Sequence, residues 1–440
     1  VRSAVVWLLA GCASVLSGCA VYHPKPLPVE PDLARAPALT VPAASLDLPG
    51  LKPQLLDPAR GFTEINIITL AVAGNPQLKA QRLQAGVARA QLLDAGLLPD
   101  PQIAVGLSTS SQLTGYSATL TEDIRALITR GTAQDAAAAH VQQVNLDILW
   151  QEWQVAEHAR ELYIQALELR RLRGVLDRRR RLLARLYRRD QLSLGRHYAT
   201  VGDINADVTA WMSAEADWRT LELRENKTRH ALNQLLGLDP DVRLRLRGKP
   251  DSRPLSKAQY RAALAALSHR RADLLALQAG YRSAEANLRE AILAQFPLVS
   301  ATVQKARSAE EGVQTIGFDV TLTLPLFNRN RGAIAIGRAS RAHLSQIYQS
   351  RLDKAVSQAD RVWNAACIMQ RQLGMLDARR SQLEQAAAAA RDSLRRGELS
   401  LADYVRVDSN VLAVRTQTIR LQASIERARA ALATLLALPF

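Results

Sequence analysis

Cysteine is nearly absent: Cys12, Cys19 and Cys367 are the three in 440 residues, too few for a disulfide framework or a zinc site. Aromatic residues are scarce at 5%, while long stretches are dominated by Ala, Leu, Arg and Gln, a mix that favours long helices over a thick globular core. No Gly-rich phosphate loop, nucleophile elbow or clustered Ser/His/Asp arrangement appears, so no catalysis and no cofactor are expected. His23, His140, His158, His197, His230, His269 and His343 lack metal-ligand spacing, and Cys367 lies in helical sequence where a small core thiol is the default. Acidic residues are also short, 41 against 57 Lys plus Arg, for a formal charge of +16. That balance suits an anionic neighbour without naming it. The densest basic run, Arg178 to Arg181 with Arg170, Arg171, Arg173, Arg185, Arg188 and Arg189, has a single interleaved aromatic, Tyr187. It reads as a solvated helix face, and no nucleic acid partner is expected. What is abundant is apolar sequence, 48%, which excludes a disordered chain.

Arg2 is followed by apolar runs that end at Leu16-Ser17-Gly18-Cys19, a short export signal that cannot span a bilayer as a stable helix. This ending looks like a bacterial lipobox, in which the thiol takes up lipid and becomes the mature N-terminus. Leu9-Ala10-Gly11-Cys12 has the same form but leaves almost no apolar core ahead of it, so Cys19 is the preferred lipidation site; a start upstream of Val1 would revive Cys12. Ala20, in place of an acidic residue, resembles lipoproteins sent to the outer membrane of a Gram-negative bacterium. Residues 24 to 58 hold nine of the eighteen prolines, which reads as an extended tether or strap within 19–62.

Internal repetition fixes the architecture. A shift of 200 pairs Gly174-Val175-Leu176-Asp177 with Gly374-Met375-Leu376-Asp377, Asp203 with Asp403, and Leu232, Leu235, Leu236 and Leu238 with Leu432, Leu435, Leu436 and Leu438. A shift of 196 lays Leu78, Ala80, Ala88, Ala90, Leu92, Ala95, Leu97 and Pro101 on identical residues from Leu274 to Pro297. Two repeats are predicted, 63–240 and 271–440, joined by a linker at 241–270. Each runs helix, two strands, long helix, break, helix. The expected strands are 102–111, 116–124, 298–306 and 315–326; the expected long helices are 133–196 and 333–395, returning as 203–236 and 403–436. The long helices begin after Arg130-Gly131 and Arg331-Gly332, and Asn75-Pro76 opens a helix as N-cap and first residue. On the last helix Tyr404, Val407, Val411, Val414, Thr418, Leu421, Ile425, Ala428, Leu432 and Leu435 recur at alternating spacings of three and four, a coiled-coil seam.

The strands alternate apolar residues (Ile103, Val105 and Leu107; Ile316, Phe318, Val320, Leu322 and Leu324) with small or hydroxyl ones (Ser108, Ser117, Thr119, Thr121, Ser300, Thr302, Thr321 and Thr323). Each approaches the length a tilted strand needs to cross a bilayer. Two half-buried hairpins in a soluble domain would show the same local pattern. Four strands in hydrocarbon leave unpaired edges, which is too costly to persist. Two copies of the chain would close a barrel with a filled interior; three would close a twelve-stranded barrel with a lumen, over twelve long helices.

These features resemble the TolC family of outer-membrane efflux channels, and within it the lipoprotein and CzcC-type branches. The resemblance runs from about Glu64 to Phe440, carried by Asn75-Pro76-Gln77-Leu78, Gly96-Leu97-Leu98-Pro99-Asp100-Pro101, Leu235-Leu236-Gly237-Leu238 and Leu324-Pro325-Leu326-Phe327-Asn328-Arg329-Asn330-Arg331-Gly332. It implies a mainly α chain with a membrane β part: a homotrimer with one twelve-stranded β-barrel and an α-helical periplasmic tunnel. This assembly docks onto a periplasmic adaptor protein and an inner-membrane pump, and carries cargo passively, heavy-metal cations and organic compounds both being open. The family's hairpin tips carry Gly, five residues, Asp and a hydrophobic residue. Gly397 to Asp403-Tyr404 fits; in the first repeat His197 stands in the glycine's place before Asp203-Ile204. The tips are implied to meet the adaptor and narrow the tunnel mouth, with Asp203 and Asp403 tripled to six carboxylates and Arg406 nearby. Each aspartate is also expected to N-cap the helix after it. The basic run could equally be an adaptor contact. A different class, a lipid-anchored periplasmic coiled-coil spacer or adaptor without a pore, would not need four bilayer-length strands.

Overall fold

The computed structural model describes residues 22–38, 48, 51, 56–109, 114–196, 198, 200–250, 254–309 and 313–439. Two compact units are distinguished, Val1–Ala34 and Arg35–Phe440. Described residues of the first, 22–34, are extended and largely exposed. The proposed lipidation sites Cys12 and Cys19 and the tip residue His197 lie outside the described residues.

The second unit contains two successive copies of one arrangement. The first consists of α1 (Glu64–Gly74), α2 (Pro76–Gly96), β1 (Gln102–Thr109), β2 (Thr114–Asp123), α3 (Arg125–Leu194) and α4 (Val201–Leu236). The second consists of α5 (Lys257–Ala265), α6 (Leu267–Arg270), α7 (Ala272–Leu293), β3 (Leu298–Arg307), β4 (Gln314–Thr323), α8 (Arg331–Arg396) and α9 (Leu401–Leu435), so that 257–270, expected as linker, is helical and stands where α1 stands in the first copy. At 70 residues, α3 extends about 105 Å. It begins at Arg125, eight residues before the expected start at 133, and passes straight through Gly131. One helical glycine costs only about 1 kcal/mol, too little to end a helix packed along its length. Arg331-Gly332 likewise forms the first turn of α8 instead of preceding it.

The repeats are locked by matching contacts. Asn75 accepts a hydrogen bond from the Leu78 N–H at 2.9 Å and donates its side-chain amide to the Leu235 carbonyl at 2.9 Å. Its counterpart Arg271 reaches the Leu435 carbonyl at 3.5 Å, pairs with Asp273 at 2.8 Å and stacks over Trp150. After α4, Gly237 is left-handed (φ 67°), and a Cβ there would stand 2.8 Å from the Gly74 carbonyl, so glycine is required. The repeat-equivalent Ala437 adopts the same left-handed turn (φ 49°). The strand-to-helix corner before α8 uses two consecutive left-handed residues, Arg329 and Asn330, and the Asn330 amide holds it by donating to the Ala291 carbonyl at 2.7 Å.

The main core gathers Ile67, Ile68 and Val72 of α1, Trp153, Ala156 and Tyr163 of α3, Leu232 and Leu236 of α4, and the strap residues Leu48, Leu51 and Leu56. Phe62 bridges to the linker, accepting from the Arg247 N–H and donating to the Arg245 carbonyl. The α9 seam packs as its spacing requires, with Tyr404, Val411, Thr418, Ile425 and Leu432 buried. A second buried face, Val405, Asp408, Leu412, Ala423 and Ala430, also runs along α9. The helix is therefore wedged between α8 and α3. Cys367 is exposed on α8, not in a core, because most of α8 away from its α9 seam is uncovered in the single chain.

Candidate functional site: the strand sheet and the hairpin tips

The four strands form one antiparallel sheet in the order β1-β2-β3-β4. One face reads across the strands as Ile103-Leu120-Val303-Phe318 and Val105-Ala118-Lys305-Ile316; the other as Gln102-Thr121-Thr302-Asp319 and Ala104-Thr119-Gln304-Gly317. On the polar face the Thr121 and Thr302 hydroxyls are 3.1 Å apart. On the apolar face Ile103 is 73% exposed, Leu107 80%, Ile316 79% and Phe318 68%. A sheet that leaves such residues uncovered in the single chain is built for an apolar surrounding, and its outer strands β1 and β4 each keep an unpaired edge. Among the described residues no helix is long and apolar enough to cross a membrane.

At the far end of the helices the two tips differ. The second closes with Gly397 left-handed (φ 77°), its N–H donating to the Leu394 carbonyl and that of Glu398 to the Ser393 carbonyl. In the first, Gly195 is right-handed (φ −62°), and the Arg196 and Tyr198 N–H groups both donate to the Ser193 carbonyl. The aspartates are not N-caps. Thr200 and Ser400 take that position, and Asp203 and Asp403 stand three residues on. The Asp203 carboxylate accepts from the Thr200 N–H at 3.0 Å and from its hydroxyl at 2.6 Å, which lowers its pKa. Asp403 accepts from the Ser400 hydroxyl at 2.7 Å and lies 3.3 Å from Arg406. A hydroxyl residue in extended conformation three positions upstream outcompetes aspartate for the cap, leaving the carboxylates exposed at the tips.

Sequence reading missed a second acidic feature, behind the first tip. Asp190 on α3 faces Asp207 on α4, and Asp207 Oδ2 is inaccessible with no hydrogen-bond donor among the described residues. Burial first, then the hydrogen bond and charge of Asp190, push Asp207 up to about 6, with Asp203 adding to the rise and Arg189 opposing it. Protonation of Asp207 relieves its repulsion with Asp190 and so clasps α3 to α4. A raised carboxyl pKa means this stabilisation is present at low pH and lost as pH rises through about 6. Amide exchange around 186–210 should therefore quicken between pH 5 and pH 7.5 beyond its intrinsic rate, and Asp207→Asn should flatten that dependence. An unchanged pH response in the variant would refute the clasp.

The arginine run is not a simple solvated face. Arg178 reaches across to buried Asp408 on α9 at 2.7 Å, Arg179 to Asp217 at 2.9 Å and Arg173 to Glu225 at 3.0 Å, while Arg173 and Arg180 flank the Trp218 ring. Leu182, Leu183 and Leu186 pack beneath them with Ala214, Tyr404 and Val405. The run thus ties the first helical hairpin to the second. Asp408 could have been noticed as an acid in the apolar register between Val405 and Leu412; its partner 230 residues away could not. Among the described residues no group of three or more His, Cys, Asp or Glu side chains is placed to hold a metal ion.

The single chain thus presents a two-faced, open-edged sheet continuous with two antiparallel helical hairpins. Residues 263–438, nearly all of the second repeat, match the family model described as outer membrane efflux protein. Over 93–95% of its length the chain has the same fold as solved membrane proteins. CusC, described with conformational changes accompanying folding and transmembrane channel formation, superposes with a TM-score of 0.70 over 93% of this chain and 99% of its own, at 16% identity. The Campylobacter jejuni CmeC outer membrane channel gives 0.71 over 95% and 94% at 14% identity, and a Pseudomonas aeruginosa membrane protein 0.70 over 95% and 99% at 18%. None of the curated proteins matches the chain in sequence.

Proposed function

We propose that this chain is the outer-membrane channel of a tripartite efflux system, a passive duct from periplasm to exterior. The observation that carries the reading is the exposed apolar face of an open-edged sheet whose opposite face is lined with hydroxyls. Three copies pairing β4 of one with β1 of the next close twelve strands around water and leave no edge in lipid. The helical hairpins extend the duct into the periplasm. Asp203, Gly397, Asp403 and Arg406, with His197, form the tips that meet an adaptor protein and, through it, an inner-membrane pump. Cys19 carries the lipid anchor. A pore-less spacer has no use for the apolar strand face.

The test is to purify the protein from membranes and record from planar bilayers. The expected result is a detergent-requiring, SDS-sensitive trimer with discrete conductance steps; a detergent-free monomer that never conducts would refute the reading. Deleting the gene and profiling sensitivity to metals and to organic compounds then identifies the cargo.

A further inference from the structure

The apolar face of the sheet carries two cations where its own pattern calls for apolar residues. Lys305 lies on β3 between Ala118 and Ile316, and Arg307 between Tyr116 and Gln314. Both side chains are exposed, and no ion pair engages either among the described residues. They are two residues apart on one face, about 7 Å along the strand. Their position is at the hairpin end of the sheet, away from the helices. The opposite end of the same face carries an acid instead, Glu122, paired with Ala301.

A charge facing hydrocarbon is disfavoured most at the bilayer midplane and least at its boundary, where long basic side chains extend to the headgroups. The outward cations therefore mark where the apolar band ends on the hairpin side. In the orientation of the proposed channel, with helices in the periplasm, that side is the outer leaflet. We infer that Lys305 and Arg307 form a binding site, repeated in each protomer, for the phosphate groups of the outer leaflet's phosphorylated glycolipid, with Tyr116 beside them at headgroup level. The lipid phosphate supplies the counter-charge that the strand neighbours lack, while the acyl chains cover Val105, Leu107 and Ile316. This rests on the channel reading, which alone sets the sheet's orientation.

The test uses the full-length trimer in mild detergent, incubated separately with bis-phosphorylated lipid A, with its dephosphorylated form and with phosphatidylethanolamine, and analysed by native mass spectrometry. Wild type is expected to retain the bis-phosphorylated form about tenfold better than either other lipid, and Lys305→Gln/Arg307→Gln to erase the preference while remaining a conducting trimer. Variant retention within about twofold of wild type would overturn the inference, as would equal retention of the dephosphorylated lipid. So would displacement by millimolar inorganic phosphate, which would mark a soluble-anion site. Glu310 and Glu311, which follow β3 in sequence, lie outside the described residues. A wild type that retains no lipid phosphate likewise overturns the inference. A conducting wild-type trimer indifferent to phosphate sinks this inference alone, whereas a wild type that forms no conducting trimer sinks the channel reading with it.

Discussion

Phe318→Arg should nearly abolish recovery of assembled trimer from the outer membrane, whereas Asp319→Arg, one residue along the same strand, should leave it within about twofold of wild type. The two side chains leave β4 on opposite faces. Phe318 belongs to a row that is apolar on all four strands, with Ile103, Leu120 and Val303, and Asp319 to the row Gln102, Thr121 and Thr302. An arginine directed at lipid near the midplane of a β-barrel costs about 2–4 kcal/mol, and closure by three chains repeats that cost in every protomer. Even one such cost lowers the folding equilibrium constant by roughly thirtyfold at the lower bound. On the lumen side the same guanidinium stays hydrated. Quantifying detergent-extracted trimer by semi-native electrophoresis, with matched expression, checks both halves. Equal tolerance of the two substitutions would mean that neither face meets lipid, and the barrel would be wrong.

That contrast depends on a period-two pattern fully visible in the sequence, and so do the duplicated helices. Alternation needs only neighbours, and repetition needs only comparison of the chain with itself. What stayed hidden depends on partners far apart. The start of α3 at Arg125 was obscured because Arg130-Gly131 looks like a break, yet the packing of a 70-residue helix outweighs one glycine. Thr200 and Ser400 were passed over as caps because the aspartates matched a family spacing; the hydroxyl three residues upstream was the better local signal. The second buried face of α9 could not be separated from its seam, because α3 covers it from a segment over 200 residues away, as Arg178 and Asp408 illustrate. Asp190 and Asp207 lack any shared motif, and only the turn between them makes two carboxyls neighbours.

The same reasoning about distant partners gives the second large effect, at the junction of the two repeats. Arg427 on α9 donates Nη1 to Glu168 on α3 at 2.6 Å, and the Glu168 side chain is only 3% exposed. Arg427→Ala removes the cation and leaves a carboxylate buried without its partner, which costs about 3–5 kcal/mol, because the desolvation of Glu168 is then uncompensated. Arg427→Met/Glu168→Leu removes both charges and fills a similar volume, so most of the loss should be recovered. The cycle separates a pair that specifies how the repeats meet from arginine stem packing, since the stem is retained in methionine. The midpoint of guanidinium unfolding of the detergent-solubilised protein, followed by helical circular dichroism, reads the global change. Amide exchange along 160–176 and 420–434 should show where the junction loosens. A single variant within about 1 kcal/mol of wild type would show that water reaches Glu168, and that the two repeats are joined by apolar packing alone.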